Sequence, residues 1–287
     1  MGFHLLPLAT PKHCSKPLFL QQNRRAFCLT HMNSLEKYYN KFNEDKRLLS
    51  RHGQVEFFVA IQKIDEVVGN RSGLDIIDIG AGTGRYSAYF AERGHNVVAV
   101  EPVRKNWSQI APKNEKIKAV LGNALNLKFA DNSFDVALLF GPLYHLFSFE
   151  DKLKALSEAK RVLRPGGVVL VMYLMNEYAV LTYGFKDGKL DESIKAGKLT
   201  KDYQVVSSEE DLYSYVRLEE INKLMRKSGL KRIKMVGVDG ATDYMRDCLN
   251  RLSNEDFDRY KQYQLMLSER RELLGASSHT MDILQKL

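Results

Sequence analysis

Long apolar runs are scarce in this 287-residue sequence. The longest unbroken one is VVLVMYLM, residues 168–175, far short of the about 20 residues a bilayer-spanning helix needs. No membrane helix is expected. Cysteine is nearly as scarce: Cys14, Cys28 and Cys248 lie far apart and form no metal-type pair. They exclude a disulfide framework and read as reduced thiols of a cytoplasmic protein. No cluster of histidine, cysteine and aspartate has metal-ligand spacing, so no metal is expected. Acidic residues are missing from the first 35 positions, which carry Lys12, Lys16, Arg24 and Arg25 and so hold half of the net charge of +8. The remaining 252 residues are only weakly basic, which dilutes a charge-based case for nucleic acid.

That acid-free stretch has three prolines and no hydrophobic periodicity, and Pro7 interrupts its one apolar cluster. It reads as a disordered leader over 1–33, with 34–287 forming the folded domain. From Ser34 to about residue 70 the pattern is helical, as in SLEKYYNKFNEDKRLL and GQVEFFVAIQKIDEVV. Strand-like runs follow at 74–79, 96–101, 117–121, 134–140, 168–174, 231–238 and 279–285, with helical segments such as EDKLKALSEAKRVL between most of them. Ser148, three residues before Asp151, predicts a capping box there. Strands alternating with helices predict an α/β fold with a doubly wound, mostly parallel seven-stranded sheet. Three additions are expected: a helical N-terminal cap over 34–70, a lid insertion at 175–215 and a helical insertion at 243–273.

The most informative stretch is LDIIDIGAGTGRYSAYFAERGHNVVAVEP, which begins at Leu74. Gly80, Gly82 and Gly84 let the backbone turn sharply and let a ligand approach the amides without Cβ interference. The helix that follows presents its N-terminus to that ligand. A dinucleotide fingerprint spaces its glycines G-x-G-x-x-G, whereas here the spacing is G-x-G-x-G with Asp78 just before it. A carboxylate at Asp78 would repel a pyrophosphate and suit a cationic amino-acid ligand. Glu101 ends the next strand, 17 residues after Gly84, where it can accept from both hydroxyls of a ribose.

IIDIGAGTGRYS, VVAVEP, LGNALNLKFADNSFDVALL and RVLRPGGVVLV resemble, in order, the motifs of class I S-adenosylmethionine-dependent methyltransferases. The resemblance spans roughly residues 55–240. It implies a Rossmann-like fold and S-adenosyl-L-methionine as cofactor, with S-adenosyl-L-homocysteine as product. It places Asp78 and Gly80 at the amino-acid moiety, Glu101 at the ribose, and Asn123 and Ala124 at the adenine. Ala81, Gly82, Pro102, Phe140 and Gly141 complete the expected cofactor-binding set. The family most often has aspartate where this chain has Asn123; an asparagine oxygen still accepts a hydrogen bond.

The acceptor side is carried by FGPLYHLFSFEDK at the end of the fourth strand. Nucleic-acid amino-methyltransferases carry Asn/Asp-Pro-Pro-aromatic there; Gly141 offers no side chain to hold a base's amine. His145 is the candidate general base and Tyr144 a stacking platform. A packed histidine with both nitrogens satisfied is the competing reading. Tyr38, Tyr39, Arg47 and Tyr183 are candidate substrate contacts, and an arginine in the cap can clamp a carboxylate of donor or acceptor. The chain most resembles uncharacterised bacterial methyltransferases, a likeness that names no acceptor; with no added binding domain evident, the acceptor is expected to be a small molecule, with no stable nucleic-acid partner. Two alternatives stand beside this: methylation of RNA or protein, and binding of the cofactor without turnover. Oligomeric state stays open.

Overall fold

The computed structural model describes residues 35–41, 44–110 and 114–287. The expected leader lies outside the described residues. Within them, the chain begins with helices α1 (35–41), α2 (Glu44–Leu49) and α3 (Arg51–Val68). Ser50 starts α3, its hydroxyl accepting from the Gly53 amide at 3.3 Å. The Rossmann-like part follows: β1 (Asp75–Ile79), α4 (Arg85–Glu92), β2 (Asn96–Glu101), α5 (Arg104–Trp107), β3 (Ile117–Leu121), β4 (Phe134–Leu139), α6 (Phe149–Val162) and β5 (Leu163–Met175).

The remaining elements are α7 (Asn176–Ala179), a π-helical turn (Val180–Lys186), α8 (Leu190–Lys195), β6 (Tyr215–Val216), α9 (Leu218–Ser228) and β7 (Lys231–Gly237). The chain closes with α10 (Arg246–Arg251), α11 (Asn254–Leu267) and β8 (His279–Gln285).

The strands form one sheet in the order β3-β2-β1-β4-β5-β8-β7, with β6 paired to the end of β5. Strand β8 is antiparallel to both neighbours and the other pairings are parallel. All seven strands expected from the sequence are present. The count rises to eight because two residues, Tyr215 and Val216, pair with Leu174 and Met175; so short a run gives no periodic signal. The order reverses direction between β1 and β4, and at such a switch point a crevice opens beyond the carboxyl ends of the strands.

Each strand's alternation divides the core into two layers. Ile76 of β1 packs with Val55, Val59 and Ile64 of α3, Phe90 of α4 and Phe257 of α11. Ile77 and Ile79 point the other way, into the second core layer, which Leu156 and Ala159 of α6 and Ile221 and Leu224 of α9 also build. Each of these side chains contributes on the order of 2 kcal/mol by leaving water. The expected cap is therefore also a core layer, since the apolar stripe of α3 seals one face of the sheet. The expected helical insertion at 243–273 is two helices broken at Leu252–Ser253, and it covers the same face through Phe257, Leu252 and Tyr260.

One local expectation holds. The Ser148 hydroxyl accepts from the Asp151 amide at 3.0 Å and donates to the Asp151 carboxylate at 2.8 Å, closing the start of α6. RPGG interrupts the ladder, for Phe134 pairs Leu163 but Val136 pairs Val168, and the residues between bulge out through Gly166 at φ 79°.

Candidate functional site

The crevice at the switch point is a cavity of about 650 Å³, the size of a small-molecule site. Its floor is the glycine turn. Gly80, Gly82 and Gly84 all have positive φ (76°, 56° and 83°), a region that costs little only for glycine. A Cβ on Gly80 would come within 2.7 Å of the Pro142 ring, so the turn after β1 needs its glycine for close approach to the turn after β4. The Gly80 and Ala81 amides donate to the Val100 carbonyl at 2.8 and 3.1 Å, tying the turn to β2.

Two carboxylates lie in this floor. Asp78 is 2 % exposed and accepts from the Ser87 hydroxyl at 2.7 Å. Glu101 is 4 % exposed and accepts from the Gly82 amide at 2.9 Å and the Val103 amide at 3.0 Å. Neither has a lysine or arginine partner among the described residues. Burial pushes Asp78 up to about 6 against the Ser87 hydrogen bond, and Glu101 up to about 7 against the Val103 and Gly82 amides. Pro102, Asn123, Ala124 and Phe140 continue the lining. The Asn123 oxygen already accepts from the Leu125 amide at 3.0 Å, which orients the side chain in an Asx turn.

The opposite wall is aromatic. Tyr144 and His145 sit on a 3₁₀ turn, Pro142–His145, directly after β4. His145 Nδ1 lies 2.9 Å from the Leu212 carbonyl, and Nε2 lies 3.1 Å from the Tyr39 hydroxyl. A carbonyl only accepts, so Nδ1 carries the hydrogen and the neutral ring keeps its lone pair on Nε2, where Tyr39 donates. Tyr213 stacks behind this pair, 5.3 Å from the His145 ring and 5.9 Å from the Tyr144 ring.

Arg47 also lines the cavity, but both Glu56 oxygens hold it, at 2.5 and 3.2 Å. Burial alone would raise Glu56; the Arg47 guanidinium outweighs it and keeps the carboxyl below its ordinary value. Beyond Glu56 stands His279, whose Nδ1 donates to Asp239 at 2.6 Å. Burial opposes its charge, yet the Asp239 carboxylate, with Glu56 behind it, holds His279 up to about 9. One ligand atom each of Glu56, Asp239 and His279 lies within 4.8 Å of the others, a metal-type trio that spacing along the chain does not reveal. Its charges are met internally, because Asp239 is taken by Ser277, Ser278 and His279, and Glu56 by Arg47.

Of the residues singled out from sequence, Tyr39, Arg47, Asp78, Gly80, Ala81, Gly82, Glu101, Pro102, Asn123, Ala124, Phe140, Tyr144 and His145 line one cavity. Three do not. Gly141 lies beneath it, where an added Cβ would stand 3.4 Å from the Gly80 carbonyl. Tyr38 packs edge-on against Tyr39 and Tyr213, one ring back from the lining. Tyr183 is 44 % exposed on the π-helical turn and faces Tyr178. None of the lining residues comes from 175–215, so the expected lid instead supports the aromatic wall from behind, through Tyr213. Sequence reasoning missed Glu56 and Tyr86, both in the lining. Their positions within amphipathic helical patterns marked them as ordinary helix residues.

Residues 77–171 match the family model of a methyltransferase domain. An uncharacterised methyltransferase of Mycobacterium tuberculosis is 38 % identical over 92 residues, 32 % of this chain and 36 % of that protein. The match thus spans about a third of that relative's length. A ubiquinone/menaquinone biosynthesis C-methyltransferase of Idiomarina loihiensis is 28 % identical over 193 residues, 60 % of this chain and 72 % of its own length. Among solved structures, the fold resembles 1,6-didemethyltoxoflavin-N1-methyltransferase of Burkholderia thailandensis, bound to its substrate and S-adenosylhomocysteine. That likeness has a TM-score of 0.55 at 17 % identity and covers 95 % of this chain and 93 % of that one.

Proposed function

We propose that this chain, which carries a methyltransferase domain of the class I, S-adenosylmethionine-dependent kind, transfers a methyl group from S-adenosylmethionine to a small-molecule acceptor. The observation that carries this reading is the pair of buried carboxylates, Asp78 and Glu101, that lack a cationic partner on the cavity floor. Burying a charge without a partner is costly, so the floor suits a ligand that brings positive charge and hydroxyls. The donor brings a sulfonium, an ammonium and a ribose diol. Asp78 would meet the ammonium, Glu101 the diol, and Asn123 and Ala124 the adenine. A dinucleotide pyrophosphate would lie against Asp78 and be repelled.

Bound there, the donor supplies an electrophilic methyl carbon on a thioether leaving group, and S-adenosylhomocysteine is the product. The chain's own part is to position, to exclude water and to remove a proton. His145 holds its Nε2 lone pair toward Tyr39, so a proton lost by the acceptor passes to Nε2, directly or through the Tyr39 hydroxyl. Tyr144 would stack on a flat acceptor. The cavity's volume of about 650 Å³, walled by Tyr39, Tyr144 and the α2–α3 cap, supports a small acceptor over a macromolecular one.

Incubation with donor labelled on the methyl carbon and a fractionated cell extract tests this. Label is expected in the small-molecule fraction. Label in RNA or protein would overturn the acceptor class, and binding of S-adenosylhomocysteine without any transfer would overturn the activity.

A further inference from the structure

Tyr86 lies in the first turn of α4, six residues after Gly80, and lines the cavity. It is 8 % exposed, its ring is fixed edge-on to Phe140 at 5.1 Å and tilted on Phe57 at 5.0 Å, and its hydroxyl has no hydrogen-bond partner among the described residues. Ser87 donates to one Asp78 oxygen, and both Glu56 oxygens are taken by Arg47. Glu56, Arg47, Tyr144 and Asp78 are the charged and phenolic groups whose electrostatic influence reaches the hydroxyl. A buried hydroxyl left unbonded is costly, and a ligand oxygen accepting from it recovers that cost.

Resting on the reading that this cavity takes S-adenosylmethionine, we propose that the Tyr86 hydroxyl donates to the α-carboxylate of the donor's amino-acid tail. The ammonium and the carboxylate are both borne on one carbon, so an ammonium seated at Asp78 leaves the carboxylate carbon only two bonds from the ammonium nitrogen. Tyr86 is the second residue of the helix that follows the glycine turn after Asp78, and Arg47 lines the same cavity. Asp78 and Tyr86 thereby read the two halves of the zwitterion. A phenol suits the carboxylate half, because it donates without adding charge next to a sulfonium.

The test compares wild type with Tyr86→Phe by calorimetry on two ligands, S-adenosylhomocysteine and its decarboxylated analogue, which keeps the amine. Tyr86→Phe is expected to weaken S-adenosylhomocysteine about 5- to 20-fold and leave the decarboxylated analogue unchanged. The ligand-free variant should melt no lower than wild type, since only an unpartnered oxygen is removed. Unchanged affinity for S-adenosylhomocysteine, or equal losses on both ligands, would overturn the proposal while the cofactor reading stands. Failure of wild type to bind S-adenosylhomocysteine at all would overturn both.

Discussion

Glu101 and Gly82 are 19 residues apart, yet the Glu101 carboxylate accepts from the Gly82 amide at 2.9 Å. The acid that ends β2 therefore braces the glycine turn that ends β1. One carboxylate oxygen fixes the turn and the other holds the Val103 amide, leaving the remaining lone pairs for a ligand.

Replacing Glu101 by alanine removes both roles. The loss of a charged acceptor for two ribose hydroxyls should cost roughly 2–4 kcal/mol, or about 30- to 1000-fold in S-adenosylhomocysteine affinity by calorimetry. Glu101→Gln keeps one acceptor oxygen and should lose less. Tight binding of a nicotinamide dinucleotide to wild type would sink the methyltransferase reading altogether.

His145→Ala should lower methyl transfer into the small-molecule fraction by about 10²-fold or more while donor affinity changes little. Tyr39→Phe should cost less, because Nε2 keeps its lone pair. If transfer by the His145 variant equals wild type, the ring serves only to tie the turn after β4 to the Leu212 carbonyl.

How much of this was legible beforehand follows from what each residue answers to. The strands were legible because both faces of the sheet are covered, so runs such as 168–174 and 134–140 are apolar almost throughout. Asp78 and Glu101 were legible because they interrupt or end such runs. The Arg47–Glu56 and Asp239–His279 pairs were not, since the second joins residues 40 apart and both lie in segments whose polarity alone suggests a solvated surface. Tyr183 was misplaced for a related reason. A tyrosine-rich insertion reads as a lid, but whether its rings face a cavity or one another is set by tertiary packing.

A structural ion pair offers a test of the fold itself. Arg232 on the edge strand β7 holds both oxygens of Asp282 at 2.6 Å, and Asp282 is fully buried in β8. Burial raises the Asp282 carboxyl even with its partner in place. Arg232→Met should destabilise by about 3–5 kcal/mol, because it strands a buried charge. Arg232→Met with Asp282→Leu should recover most of that loss. In urea titrations the single variant should suffer less at pH 5 than at pH 8, where Asp282 is harder to keep protonated. Equal losses at both pH values, with no recovery in the double variant, would show that packing and not charge is at stake.

The last expectation couples the cavity floor to pH. Asp78 at about 6 and Glu101 at about 7 both stand above their ordinary values because they are buried. The folded protein without ligand therefore holds these two protons more tightly than the unfolded chain does. Their stabilising contribution is complete below about pH 4, the ordinary carboxylate range, and is lost as pH rises through 6 and 7. The melting temperature of the ligand-free protein should accordingly fall between pH 5 and 8 through these two groups, and Glu101→Gln should flatten part of that slope. A cationic, diol-bearing ligand favours the ionised forms, so its binding must expel the protons wherever they are still held. S-Adenosylmethionine affinity should then weaken as pH drops from 7.5 to 5.5, and calorimetry at pH 6 in buffers of different ionisation enthalpy should register net proton release. The thermal shift it produces should grow across the same window. An affinity independent of pH between 5.5 and 7.5 would mean that neither carboxylate changes its protonation on binding, and that the ligand's charge lies elsewhere than on this floor.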